Sequence, residues 1–115
     1  MWPGVDLERE ILTRMDERLL KTFTDMLVLA ELRNNHNMSG YDVIEYVHSE
    51  FDFLISSGTI YSLLYSMERD GSIEGAWINR KRVYTLTDKG KETIKTIQNA
   101  SGRIQNFIAR LLQAK

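Results

Sequence analysis

Apolar residues recur at helical spacing along most of the chain, and the period shortens only once. Leu12, Met15, Leu19, Phe23, Met26, Leu27 and Ala30 form a stripe free of Gly and Pro, which predicts one helix over about residues 6–34. Leu7 and Ile11 extend its apolar surface, and Asp6 is placed to cap its start. A break into two helices near Asp16 is the alternative. After a loop over residues 34–38, Ser39 is placed to cap a second helix to about Phe51, with Val43, Ile44, Val47 and Phe51 inward. Phe53-Leu54-Ile55 connects it to a third helix, capped by Ser56 or Ser57 and ended by Asp70-Gly71. In that helix Ile60, Leu63, Leu64 and Met67 fall at i, i+3, i+4 and i+7.

The alternation then becomes strand-like. Residues 72–78, with Ile73 and Trp77 inward, and residues 83–87 predict two strands, and Asn79-Arg80-Lys81-Arg82 makes the hairpin tip. Thr87 or Asp88 caps a single last helix that runs close to Lys115. Its residues Ile94, Ile97, Ser101, Ile104, Ile108 and Leu111, three and four apart, form a heptad-like seam broadened by Phe107 and Leu112. Ser101-Gly102 is its soft point, since Gly inside a helix costs roughly 1 kcal/mol relative to Ala. A chain of 115 residues holds one core rather than two. The fold expected is mainly α with a small β-hairpin, a winged helix-turn-helix with long N- and C-terminal dimerisation helices. Within this single domain, residues 6–34 are the N-terminal helix, 39–71 the helix-turn-helix, 72–87 the wing and 88–115 the dimerisation helix.

The third helix changes what the pattern implies about function. Opposite its apolar stripe lie Ser57, Thr59, Tyr61, Ser62, Tyr65 and Ser66, with no charge until Glu68. A solvated helix face is ordinarily rich in Lys and Glu. Short hydroxyls and tyrosines instead suit the major groove of double-stranded DNA, with Thr59, Tyr61, Ser62 and Tyr65 on base edges and Ser57 on phosphate. Ser39 and Tyr41, at the start of the second helix, are candidates for a further phosphate contact. Asp42 argues that Ser39 simply caps the helix. The cations Arg80, Lys81 and Arg82 fit a wing on the DNA backbone or minor groove. Leu7, Ile11, Leu12 and Met15, with Ile94, Ile97, Ile104, Phe107, Ile108 and Leu111, are the expected homodimer surface, because so small a core does not cover both long helices.

Charge supports this division weakly. The net charge is −1, but residues 1–50 carry five Lys/Arg against ten Asp/Glu, net −5, while residues 51–115 carry ten against six, net +4. The chain has no cysteine, so disulfides and thiolate metal sites are excluded. His36 and His48, twelve apart, lack the spacing of a metal site, and neither a phosphate loop nor a catalytic grouping stands out. An enzyme, a metal and a cofactor are therefore not expected. No apolar run approaches the ~20 residues of a membrane span, and the first residues do not read as a signal peptide, so a cytoplasmic location is expected. Trp2, Trp77 and the apolar seam suggest a small-molecule effector. A protein-interaction module on a winged-helix scaffold is the competing function.

Four stretches carry a family likeness: Ser39-Gly40-Tyr41-Asp42-Val43-Ile44, Ser57-Gly58-Thr59-Ile60-Tyr61-Ser62-Leu63-Leu64, Glu68-Arg69-Asp70-Gly71-Ser72-Ile73 and Tyr84-Thr85-Leu86-Thr87-Asp88-Lys89-Gly90. In this order, over about residues 26–97, the chain resembles the PadR-like transcriptional regulators. The resemblance implies a dimeric winged helix-turn-helix whose last helix packs on the partner's terminal helices. It also implies a repressor of nearby genes, in some members released by a small molecule. Ser62 stands where the family usually has proline. The single C-terminal helix matches the family's shorter branch, and the segment before Leu19 is longer than usual.

Overall fold

The computed structural model describes residues 3–113, as five helices and a three-stranded sheet. Helix α1 spans Pro3–Asn35, so it begins ahead of Asp6, which lies in the first turn instead of capping it. The helix is not broken near Asp16. It bends at Phe23 (φ −109°, ψ 16°), beside a Thr24 hydroxyl that donates to the Leu20 carbonyl. A hydroxyl bonded back into the preceding turn competes with the helical ladder and bends it.

Only the second half of α1 enters the core, and it does so through Thr24, Val28, Leu29 and Leu32. The expected stripe from Leu12 to Ala30 lies on a neighbouring face that stays exposed or half-buried. His36, at φ 62°, then turns the chain, and Met38–Ser39 form a short strand β1 that the sequence pattern did not predict. Two residues are too few to show alternation.

Helix α2 (Gly40–Phe51) starts from a reciprocal cap: the Ser39 hydroxyl accepts from the Asp42 amide at 3.2 Å, and the Asp42 carboxylate accepts from the Ser39 amide at 2.9 Å. Val43 and Val47 are buried, whereas Phe51, expected inward, is exposed. Helix α3 (Ser57–Asp70) is capped by Ser56, whose hydroxyl accepts from the Thr59 amide at 3.2 Å. Ile60 and Leu64 are fully buried and Met67 nearly so, which locks one face of α3 onto α1 and α2. Its end is a Schellman turn: Gly71 (φ 85°) donates to Glu68 and Ser72 to Met67, at 3.1 and 3.0 Å.

Strands β2 (Ile73–Ile78) and β3 (Lys81–Leu86) pair antiparallel, Ile73 opposite Leu86 and Ile78 opposite Lys81. Strand β1 adds to the other edge of β3, Met38 opposite Tyr84, giving the order β1-β3-β2. The turn is Asn79-Arg80 alone, with φ 50° and 66°, the two positive values of a type I′ hairpin turn. Trp77 shares a sheet face with Ile73 but lies beyond the core and is 70% exposed, so its expected inward position is corrected.

Thr87 caps helix α4 (Asp88–Asn99) by accepting from the Gly90 amide at 3.1 Å. The expected single last helix is two: the backbone leaves helical geometry at Ala100 (φ −100°, ψ 16°), and α5 (Ser101–Leu112) follows. The break falls one residue before the predicted soft point Ser101-Gly102. Residues 114 and 115, also placed in that helix by the sequence pattern, lie outside the described residues.

Gly90 makes the tightest backbone contact of this frame, since a Cβ there would run into the Ser72 carbonyl oxygen. Gly90→Ala is expected to lower stability by about 2–3 kcal/mol, the upper part of the range for forced overpacking, read as a lower urea midpoint. Nearby, the Asp70 carboxyl is held below the ordinary carboxylate range, first by the Ser72 hydroxyl (2.8 Å) and then by Lys89 (3.2 Å). A depressed folded-state value stabilises above the ordinary Asp value and loses that contribution as pH falls through the folded one. Melting curves from about pH 4 downward should therefore fall less steeply for Asp70→Asn than for the parent.

Candidate nucleic-acid interface

Burial of Ile60, Leu64 and Met67 forces the other side of α3 outward, and Ser57, Thr59, Tyr61, Ser62, Tyr65 and Ser66 are all exposed. Their hydroxyls are not equally free. Thr59 shares a hydrogen bond of 2.7 Å with Ser56. The Tyr61 ring lies on the start of α2, where a Cβ on Gly40 would come within 2.5 Å of it. Tyr65 carries the Arg69 guanidinium at 5.7 Å from its ring centre. Ser57 and Ser62 form no side-chain hydrogen bond among the described residues.

At the start of α2 the two expected contacts separate. Tyr41 is exposed and follows Gly40, against which Tyr61 packs. Ser39 is 5% exposed, and its hydroxyl and amide are both engaged with Asp42. The cap accounts for the Ser39 amide and for its hydroxyl oxygen as an acceptor.

The three consecutive cations also separate. Arg80 sits in the turn and Lys81 on the outer sheet face opposite Ile78; both are exposed, and neither forms an ion pair among the described residues. Arg80 occupies the turn position where glycine is usual, and a left-handed conformation costs a residue with a Cβ roughly 1–2 kcal/mol. Arg82 lies on the inner face. Its guanidinium meets the Glu68 carboxylate of α3 at 2.6 Å. It also stands 5.7 Å from the Trp77 ring centre and 6.0 Å from that of Tyr84. Sequence reasoning missed this pairing. Strand alternation was the signal for it, because Arg82 must share a face with the inward Tyr84.

The terminal helices keep most of the expected dimer surface open. Leu7, Ile11, Leu12, Phe107 and Leu111 are exposed, and Met15, Ile97, Ile104 and Ile108 are half-buried. Ile94 is the exception: at 2% exposure it belongs to the protomer's own core. A groove of about 920 Å³ runs between α1, the end of α2 and α4–α5. Leu19, Phe23, Leu27, Ile97 and Ile104 line it, with Asp16 and Glu17 also in its wall. Trp77 is on the wing and does not line this groove, and Trp2 lies outside the described residues. No group of His, Cys, Asp or Glu among the described residues is arranged to hold a metal ion, and no helix there is long and apolar enough to cross a membrane.

Comparison with known proteins places this arrangement. Residues 28–96 match the Transcriptional regulator PadR-like family. No curated protein matches the chain. Among solved structures, a PadR family transcriptional regulator from Eggerthella lenta superposes with a TM-score of 0.75 at 22% identity, over 95% of this chain and 98% of that one. A PadR-like transcriptional regulator from Bacillus cereus gives 0.69 at 26% identity, over 85% and 99%. Bacillus subtilis PadR in complex with operator DNA gives 0.57 at 28% identity, over 63% of this chain and 44% of that one. The matched segment begins inside α1 and contains the helix pair, the hairpin and most of α4. With this fold and this match, the chain belongs to the PadR-like family of transcriptional regulators, and its family and fold are those of regulators rather than enzymes.

Proposed function

We propose that the protein is a homodimeric, sequence-specific DNA-binding regulator that represses transcription in the cytoplasm. In this reading α3 enters the major groove, with Thr59, Tyr61, Ser62 and Tyr65 toward base edges. Ser57 and Tyr41 stand toward the sugar–phosphate backbone. Arg80 and Lys81 approach the flanking backbone or minor groove. One observation carries the reading: a hydroxyl-rich face of α3 adjoins a hairpin whose tip holds two cations that form no ion pair among the described residues. The likeness to a PadR protein bound to operator DNA supports it.

The charges divide the work. Cations on the wing attract any DNA sequence, and hydroxyl groups on α3 discriminate among sequences. Dimerisation supplies the second half-site. We assign it to α1 and α5, because α5 is strongly amphipathic yet has no fully buried residue within the protomer. The adjoining groove is of the size and apolar character that suits a small effector, and its Asp16 and Glu17 favour one with positive charge.

Selection of bound DNA from a random pool, followed by titration at increasing salt, tests the function. Affinity should fall steeply with salt; salt-independent binding, or none, would favour a protein-interaction module instead. Lys81→Ala and Arg80→Gly should each weaken all sequences alike and flatten the slope of log K against log salt by about one unit. Arg80→Gly should at the same time raise stability by about 1 kcal/mol, since it relieves the left-handed strain, so its binding loss does not come from unfolding.

The dimer is tested separately. Ile104→Glu or Ile108→Glu places a charge in the apolar surface between subunits. Sedimentation should then show monomers and operator binding should weaken. A dimer that persists in both variants would move the interface elsewhere.

A further inference from the structure

Four groups converge on the Arg82 guanidinium. Glu68 binds it from α3 at 2.6 Å, and both side chains are only about a third exposed, 31% for Arg82 and 29% for Glu68. Trp77, directly across the ladder, and Tyr84 place their rings beside it. Gly75 completes the enclosure: a Cβ there would stand 2.9 Å from Cζ, Nε and Nη2 of Arg82. A Cβ at position 75 would make the guanidinium shift from this seat.

We propose that Arg82 is a positioning residue that fastens the wing to α3, and that it is not one of the wing's phosphate contacts. Three features of the seat bear on this. Glu68 lies in the last turn of α3, where the helix dipole disfavours an anion, and pairing with a cation offsets that cost. The pair is partly desolvated and flanked by ring faces that attract a guanidinium. It joins α3 to the second rung from the hairpin turn, through residues fourteen apart in sequence. The contact therefore holds the strand pair that carries Arg80 and Lys81 against α3. Trp77 is its exposed lid, which accounts for a tryptophan on a wing that has no core to fill at that point.

The consequence for binding rests on the reading of α3 and the wing as a DNA surface; the anchoring itself does not, and the experiment separates the two. In the 115-residue chain carrying Trp2→Phe, Trp77 is the sole tryptophan. Without DNA, Arg82→Ala and Glu68→Gln should each increase acrylamide quenching of Trp77 and lower its anisotropy, while Lys81→Ala changes neither. Glu68→Gln keeps the size of the side chain and serves if Arg82→Ala fails to fold.

With the selected DNA, each variant should bind roughly fivefold more weakly and the double variant no more weakly than either alone, as for residues acting as a unit. The salt slope should stay at the parent value. Loss of affinity in Glu68→Gln is diagnostic, because removal of an anion near DNA would on charge alone tighten binding. Two results overturn the proposal. One is a slope shallower by about one unit for Arg82→Ala with tighter binding by Glu68→Gln, which makes Arg82 a phosphate contact. The other is Trp77 quenching and anisotropy unchanged in both variants. Should the parent bind no DNA at any salt, the regulator reading falls, and the Trp77 measurements still decide whether Arg82 anchors the wing.

Discussion

The close approach of Gly90 to the backbone at Ser72 holds together the parts of this domain that matter for function. At that point α3 ends, β2 begins, β3 has just ended and α4 starts. The Ser72 carbonyl accepts from the Thr87 amide at 3.2 Å and abuts Gly90, while the Thr87 hydroxyl donates to the Gly71 carbonyl and accepts from the Gly90 amide. The Schellman turn at Gly71 leads into the strand with only Ser72 between them. A hairpin rooted this way has no linker on which to swing, so its direction relative to α3 follows from backbone geometry. The Arg82–Glu68 contact then acts on a hairpin already aimed.

A run of three cations reads in sequence as one basic patch. Pleating divides it. Residue 80 falls in the turn, and positions 81 and 82 face opposite sides of the sheet because strand side chains alternate. Lys81 shares its face with Ile78, and Arg82 shares the other with Gly75, Trp77 and Tyr84. Charge in a strand therefore has to be counted by face. By that count the tip holds two cations without an ion pair among the described residues, and the third belongs to the internal structure. The same reasoning bears on Ser39: a hydroxyl and an amide both engaged in a cap have little left to offer a phosphate.

Elements with strong local signals were legible in the sequence. The caps at Ser39 and Ser56, the apolar face of α3, the glycine stop at residue 71 and the hairpin all follow from spacing and turn chemistry, and the four family-like stretches lie within these elements. What local pattern does not carry was missed. Strand β1 is two residues long and exists only because β3 offers it an edge. The break at Ala100 has no proline to announce it. In α1 the apolar residues are numerous enough to make two stripes, and periodicity found the one that only borders the core, through half-buried Leu27 and Ala30. The stripe through Leu19, Phe23 and Leu27 borders the groove, while Val28, Leu29 and Leu32 build the domain.

That double use of α1 explains a helix of 33 residues in so small a domain. A helix apolar on most sides is stable only where neighbours cover it on both. In the second half of α1, the neighbours within the protomer are α3, β3 and α4, and the groove side is left for whatever occupies the space beside α4 and α5. The bend at Phe23 falls where these two roles meet, one residue before the first side chain buried in the core. An occupant of the groove thus rests on the same helix against which α3 is packed. The apolar surface outside the domain and the hydroxyl face of α3 share a single support, and a substitution that tilts α1 acts on both.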